Sequence, residues 1–237
     1  MHKDNRATLI KNFKSQFPDT PSNSIILLKG DVTHHVHDGD IELLPNQEAS
    51  FWYLFGVEDC DLYGIIELDT GKATVFCPKI PDEVSLWMNL HDTDYFKKNY
   101  CIDDARYTEE LETYIKDLKP STIFVNNGTD TDSGLKTDIP TFEWLSNYKV
   151  DKDNLYLCLM ETRVYKSDKE RALMDYIGDV SSQGHIRMMQ NVKPGIREYQ
   201  LDALYKFHCY SATGSGLVAY DGIVGAGRNA ATLHYQQ

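Results

Sequence analysis

Long apolar runs are missing from this sequence. No stretch approaches the ~20 consecutive apolar residues needed to cross a bilayer, and Met1-His2-Lys3-Asp4-Asn5-Arg6 leads into a polar stretch without an apolar core of signal-peptide length. A cytoplasmic chain with no membrane association is therefore expected. Basic charge is also scarce: 24 Lys and Arg stand against 36 Asp and Glu in 237 residues, a formal net charge of −12. Nucleic-acid affinity rests on clustered Lys and Arg that neutralise phosphates, so no nucleic-acid partner is expected. Cysteine is sparse and scattered. Cys60, Cys77, Cys101, Cys158 and Cys209 are odd in number and never form a CxxC pair, which argues against a disulfide framework or a zinc knuckle and leaves buried, reduced thiols as the expectation.

What is present is the composition of an ordinary globular chain, 41% hydrophobic and 25% charged, of a length that suits two modest domains. Leu9, Ile10, Phe13 and Phe17 recur at helical spacing and predict an opening helix. Ser24-Ile25-Ile26-Leu27-Leu28 is a continuous apolar run between Pro21 and Gly30, the pattern of a central strand covered on both faces. Phe51 to Phe55 and Leu62 to Leu68 read as further strands. Asp69-Thr70-Gly71-Lys72 then turns the chain into Ala73 to Cys77 as a β-hairpin, because Asp and Gly accept turn conformations that β-branched residues resist. Helices around Glu83 to Asn89 and Glu109 to Leu118, with strands at Ser121 to Val125 and Leu155 to Leu159, complete an α/β domain with a mixed sheet over residues 1–160.

The texture changes over residues 161–237. Ser167-Asp168-Lys169-Glu170 is a capping box, in which the serine oxygen takes an orphan amide and the glutamate reaches back to the cap, and it opens a helix of roughly 24 residues by its periodicity. Leu173, Tyr176, Ile177 and Val180 would form its one buried stripe. Lys193-Pro194-Gly195 breaks the chain, a second helix carries Leu201, Leu204, Tyr205 and His208, and Gly214 and Gly216 end it. A strand over Val218 to Val224, a glycine turn and the start of another strand are expected to follow.

Several residue groups invite functional readings. His34-His35-Val36-His37-Asp38 offers imidazoles and a carboxylate for a metal, but it sits in a polar loop with no second ligand group at useful spacing. Asn127-Gly128-Thr129 matches a glycosylation sequon that matters only in a secreted chain, and a plain turn is the better reading. Gly225-Ala226-Gly227-Arg228-Asn229-Ala230 matches the dinucleotide fingerprint, yet too few residues follow it for a crossover helix, second strand and ribose-binding acid. Ser211, Ser215 and His208 lie near one another without a GxSxG elbow, which leaves His208 as a core or surface residue. His234 differs from these. It follows a glycine turn and an apolar strand start, a place where a side chain can point into a cleft.

Taken together, Gln47 to Val57, Leu62 to Lys72, Trp87-Met88, Asn126 to Gly134, Arg163 to Ser167, Cys209-Tyr210-Ser211 and Gly225 to Tyr235 make a specific pattern covering nearly the whole chain. The chain resembles the N-terminal half of the Xaa-Pro dipeptidases (prolidases) of the pita-bread metallopeptidase family. The resemblance implies a creatinase-like N-terminal domain over residues 1–160, followed over residues 161–237 by the incomplete start of a pita-bread α+β catalytic domain. It implies metal-dependent hydrolysis of Xaa-Pro and Xaa-hydroxyproline dipeptides by the complete protein, through a hydroxide bridging two Mn2+ or similar divalent ions.

The family's metal ligands, two aspartates, a histidine and two glutamates, all come after the matched segment, so none is expected among these residues and the 237-residue chain alone is expected to be inactive. The resemblance makes His234 a substrate contact near the scissile bond by orientation or hydrogen bonding, and makes Trp87 a residue reaching toward the substrate pocket of the partner in a homodimer. Where the family commonly continues with Gly-His after the tyrosine, this chain reads Gln236-Gln237. An alternative reading is a non-catalytic, creatinase-like module for binding or dimerisation.

Overall fold

Ile25–Lys29 forms β1, and its neighbours explain the unbroken apolar run. Strand side chains alternate between faces, so Ile25 and Leu27 pack with Ile65, Phe76, Leu111, Tyr114, Ile115 and Ile123 on one side. Ile26 and Leu28 pack on the other side, with Leu9, Phe13, Phe51, Leu54 and Leu159. A strand buried on both faces cannot alternate polar and apolar residues. The computed structural model describes residues 1–235, and the chain divides into two compact units, Met1–Tyr165 and Lys166–Gln237.

In the first unit, Tyr63–Glu67 (β2), Ala73–Cys77 (β3), Asp104–Tyr107 (β4), Ile123–Val125 (β5) and Val150–Asp151 (β6) join β1 in a sheet of order β4-β3-β2-β1-β5-β6. β2 is antiparallel to β1 and β3, whereas the β1–β5, β3–β4 and β5–β6 pairs are parallel. The β2–β3 hairpin turns as the Asp-Thr-Gly-Lys segment predicts, with Gly71 at φ 73°. Helices His2–Gln16 (α1), Ala49–Phe55 (α2), Thr93–Asn99 (α3), Leu111–Leu118 (α4) and Leu155–Val164 (α5) cover the sheet. The mixed-sheet α/β class expected of a creatinase-like domain is the observed one.

Three elements differ from the sequence reading. Phe51 to Phe55 lies in helix α2, because Glu48 caps it by accepting the Phe51 N–H at 2.7 Å and Gly56 ends it in the left-handed region at φ 74°. A short apolar run carries no period of its own, so these ends decide the element. Leu155 to Leu159 is likewise helical, in a run of Leu, Met and Glu that favours helix over strand. The helix expected around Glu83 to Asn89 is only a 3-10 turn over Asp82–Leu86, preceded by Pro81. The thiol expectation holds for Cys77 and Cys158, which are buried, but Cys60 and Cys209 are partly exposed and Cys101 is exposed. Burial pushes the Cys77 thiol up to about 11.

The polar opening of α1 has a structural task. The last carbonyls of a helix have no partner within it, and two of those of α2, on Tyr53 and Leu54, are taken by α1. His2 Nδ1–H and Asn5 Nδ2–H each donate to Tyr53 O at 3.1 Å, and buried Arg6 donates to Leu54 O at 2.6 Å and also to Cys101 O. A Cβ at Gly56 would stand 2.5 Å from the His2 ring, so the close approach needs glycine there as much as the positive φ does.

Burial lowers the His2 imidazole below its ordinary value of 6.5, outweighing the hydrogen bond to Tyr53 that raises it. As pH falls below that value the unfolded chain takes up the proton first, and stability present at neutral pH is lost. His2→Gln is expected to flatten this acid limb of the urea-midpoint against pH curve; an unchanged limb would remove His2 as its source.

The second unit contains two long helices, Asp168–Asn191 (α6) and Glu198–Thr213 (α7). α6 has the expected 24 residues and the expected capping box, with Ser167 and Glu170 bonded reciprocally. Where they cross, a Cβ on Gly184 would meet the Tyr205 ring at 2.9 Å and His208 at 3.2 Å. His208 is buried there and donates through Nε2–H to Val180 O at 3.1 Å, a packing role. The stripe predicted to be buried is not: Leu173, Tyr176 and Ile177 are exposed. The strands expected from Val218 onward are also absent among the described residues, replaced by loop and a 3-10 turn over Gly227–Ala231. A strand exists only by pairing, and no described segment of this unit pairs with it.

Candidate substrate-contact residues

Trp87 follows the 3-10 turn Asp82–Leu86 and donates its N–H to Val84 O at 3.1 Å. Its side chain is 68% exposed, between Leu86 at 83% and Met88 at 43%, so the packed tryptophan of an ordinary helix is not what the fold contains. Three consecutive large apolar side chains in water are costly to leave uncovered. The segment is pinned just downstream. His91 donates through Nδ1–H to Asp59 Oδ1 at 2.6 Å, and its ring stacks on Tyr95 with centroids 3.7 Å apart.

His234 lies in the other unit, exposed, in a turn beyond the Gly227–Ala231 segment. The expected strand start is therefore a turn. Gly225 and Gly227, the glycines of the dinucleotide-like motif, have local reasons: a Cβ on Gly225 would stand 2.9 Å from the backbone of Ala230, and Gly227 has φ 57°. Below the turn, Glu198 at the start of α7 gathers several donors. Its Oε1 accepts from Ala226 N–H at 2.5 Å and from Asn229 Nδ2–H at 3.0 Å, and its Oε2 accepts from Tyr235 O–H at 2.9 Å. Asn229 also donates to the Tyr235 oxygen at 3.0 Å. The sequence reading missed Glu198. An acid in the first turn of a helix is common, because the positive helix end favours it, and nothing in its spacing announces partners about thirty residues later.

The histidines at positions 34, 35 and 37 lie in an exposed loop that carries a bridge between His35 and Glu42 and a 3.3 Å contact of His34 Nε2 with Asp31 Oδ1. No group of three or more His, Cys, Asp or Glu side chains able to hold an ion occurs among the described residues. The described residues bring together no donor set that fits a divalent metal pair. Gln236 and Gln237, where the sequence departs from the family pattern, lie outside the described residues.

The fold is that of the aminopeptidase P class. The chain superposes on proline aminopeptidase P II from Yersinia pestis with a TM-score of 0.72 at 18% identity, covering 97% of this chain and 55% of that one. Aminopeptidase P from E. coli in its low-pH form gives the same score, identity and coverage. In sequence, the aminopeptidase P N-terminal domain family matches residues 2–124, and metallopeptidase family M24 matches residues 172–237. A Xaa-Pro dipeptidase of Pongo abelii is 35% identical over 232 residues, which are 98% of this chain and 47% of the relative. The Xaa-Pro dipeptidase of Homo sapiens is 34% identical with the same coverage, and that of Mus musculus is 36% identical over 90% of this chain and 43% of the relative. The chain belongs to this family, as a prolidase-like protein with an aminopeptidase P N-terminal domain followed by a segment of metallopeptidase family M24. It spans about half the length of the curated relatives it matches.

Proposed function

We propose that the full-length protein is a cytoplasmic, homodimeric dipeptidase that uses Mn2+ or a similar divalent ion to hydrolyse dipeptides with proline or hydroxyproline at the C-terminal position. The observation that carries this reading is the similarity to Xaa-Pro dipeptidases along 98% of the chain, beside a metallopeptidase family M24 match over residues 172–237 that takes in His234. The specialisation has a physical basis: proline lacks an amide hydrogen and has a fixed ring, so peptidases that grip that hydrogen cannot use it.

Because the donors here do not fit a metal pair, the residues of this chain are assigned binding and orientation only. His234 holds the dipeptide near the scissile bond, a role suited to an exposed imidazole on a turn. Trp87 covers the substrate pocket of the partner subunit, and its 68% exposure beside Leu86 and Met88 supports a contact made outside its own fold. Residues 1–160 form the creatinase-like domain and residues 161–237 the beginning of the catalytic one. For residues 1–237 alone the non-catalytic reading is favoured by the absence of a ligand cluster among the described residues.

Full-length protein with manganese is expected to hydrolyse Gly-Pro at least about tenfold faster than Gly-Leu, and residues 1–237 to show no turnover. Equal rates on both dipeptides, or none on either, would overturn the dipeptidase reading. Metal-dependent turnover by residues 1–237 would overturn the division of labour. In the same assay Trp87→Ala is expected to raise KM more than it lowers kcat, as loss of a remote apolar contact does; unchanged kinetics would remove Trp87 from the site.

A further inference from the structure

The Glu198 side chain binds both ends of the segment that carries His234. One carboxylate oxygen holds the Ala226 N–H, at the start of the 3-10 turn, and the other holds the Tyr235 hydroxyl, next to His234 in the chain. Asn229, midway along the segment, donates to both oxygens, at 3.0 and 3.3 Å, and to the Tyr235 oxygen. Glu198 itself sits in the first turn of a 16-residue helix, so the anchor is rigid. Hydrogen bonds to an ionised acceptor are roughly twice as strong as neutral ones, and several on one carboxylate fix a loop that pairs with no strand among the described residues. Gly225 tightens the same loop by lying against the backbone of Ala230.

We infer that Glu198 is a positioning residue that sets the geometry of His234 toward substrate, acting through Tyr235 and Asn229. The inference rests on the reading of His234 as a substrate contact. A purely structural glutamate would stabilise the unit without coupling to the imidazole; a positioning one must lose its effect once the imidazole is gone.

A double-mutant cycle on the full-length, manganese-loaded protein separates these cases. Glu198→Ala is expected to lower kcat/KM for Gly-Pro by on the order of 10²-fold, the cost of about an ångström of misplacement. Made in the His234→Ala background, the same change is expected to cost less than about threefold, because coupled residues are not additive. Full multiplicativity overturns the inference and leaves the role of His234 standing. A His234→Ala variant as active as the parent overturns the underlying reading, and the inference with it.

Tyr235→Phe removes one donor without a cavity and runs the same cycle if Glu198→Ala does not fold. Asn229→Asp gives a third readout. It sets a second carboxylate against Glu198, and two such groups repel until they share a proton. The activity of this variant relative to the parent is expected to recover as pH is lowered from about 8 to about 5.5, where one proton bridges the pair. A pH-independent ratio overturns the assignment of Asn229 and Glu198 to this task.

Discussion

His234→Ala in the full-length protein is expected to lower kcat/KM for Gly-Pro by on the order of 10²-fold, the typical loss when a positioned hydrogen-bonding group at the reacting centre is removed. The folding midpoint is expected to stay in place, because the side chain is exposed and surface substitutions of that kind seldom matter to stability. The pairing of a large kinetic effect with no stability effect is the informative result. Parent-like kinetics sink the substrate-contact role; a fall in both quantities points to damage of the turn instead. His234→Gln, which keeps a hydrogen-bonding group at similar reach, is expected to retain more activity than His234→Ala if the contact is a hydrogen bond.

Arg6→Met is expected to produce the largest stability effect, about 2–5 kcal/mol, because two carbonyls that it satisfies are left without a donor. Arg6 is 3% exposed, donates to Leu54 O and Cys101 O, and lies with its guanidinium carbon 5.8 Å from the centre of the Phe55 ring. It joins α1, the end of α2 and the segment after α3 across 48 and 95 residues of sequence. Burial pulls its pKa below the ordinary arginine value, and Asp103 works against that shift. Methionine keeps the apolar stem and removes the forked donor. Arg6→Lys is expected to recover only part of the loss, since a point charge cannot serve two separated carbonyls as a guanidinium does. Urea denaturation reads the result as a lower midpoint at constant slope; a change under about 0.5 kcal/mol, the range of ordinary surface substitutions, refutes the role.

Much of the fold was legible because local chemistry specified it without help. The capping box at Ser167 and Glu170 is closed within four residues, and the Asp-Thr-Gly-Lys turn carries its own conformational preference, so α6 and the β2–β3 hairpin stand where their residues predict. The doubly apolar run at Ile25 to Leu28 marks a central strand because no other position in a sheet buries both faces. Phe51 to Phe55 and Leu155 to Leu159 read as strands in sequence and fold as helices, because five apolar residues fit either period. A side-chain cap and an αL glycine settle the first, and the second follows the helix preference of its Leu, Met and Glu residues.

The candidate site divides along the same line. His234 and Trp87 were found through resemblance to a family, whereas the sequence held no trace of Glu198 as a hub or of Arg6 as a helix cap. Arg6 acts on backbone carbonyls, which any residue supplies, and Glu198 on one backbone amide and two side chains about thirty residues away in sequence. Such partners leave no pattern of residue types to read.

By itself, then, the sequence determined the mixed-sheet class, the hairpin, the two long helices and the family. Each rests on short-range periodicity, turn chemistry or residue identity. Only the tertiary structure decided that the polar first turn of α1 closes α2, that Trp87 stands in solvent instead of in a core, and that one carboxylate holds the turn bearing His234. These depend on which distant groups meet, and which are left uncovered, once the elements pack, a quantity that exists only in three dimensions.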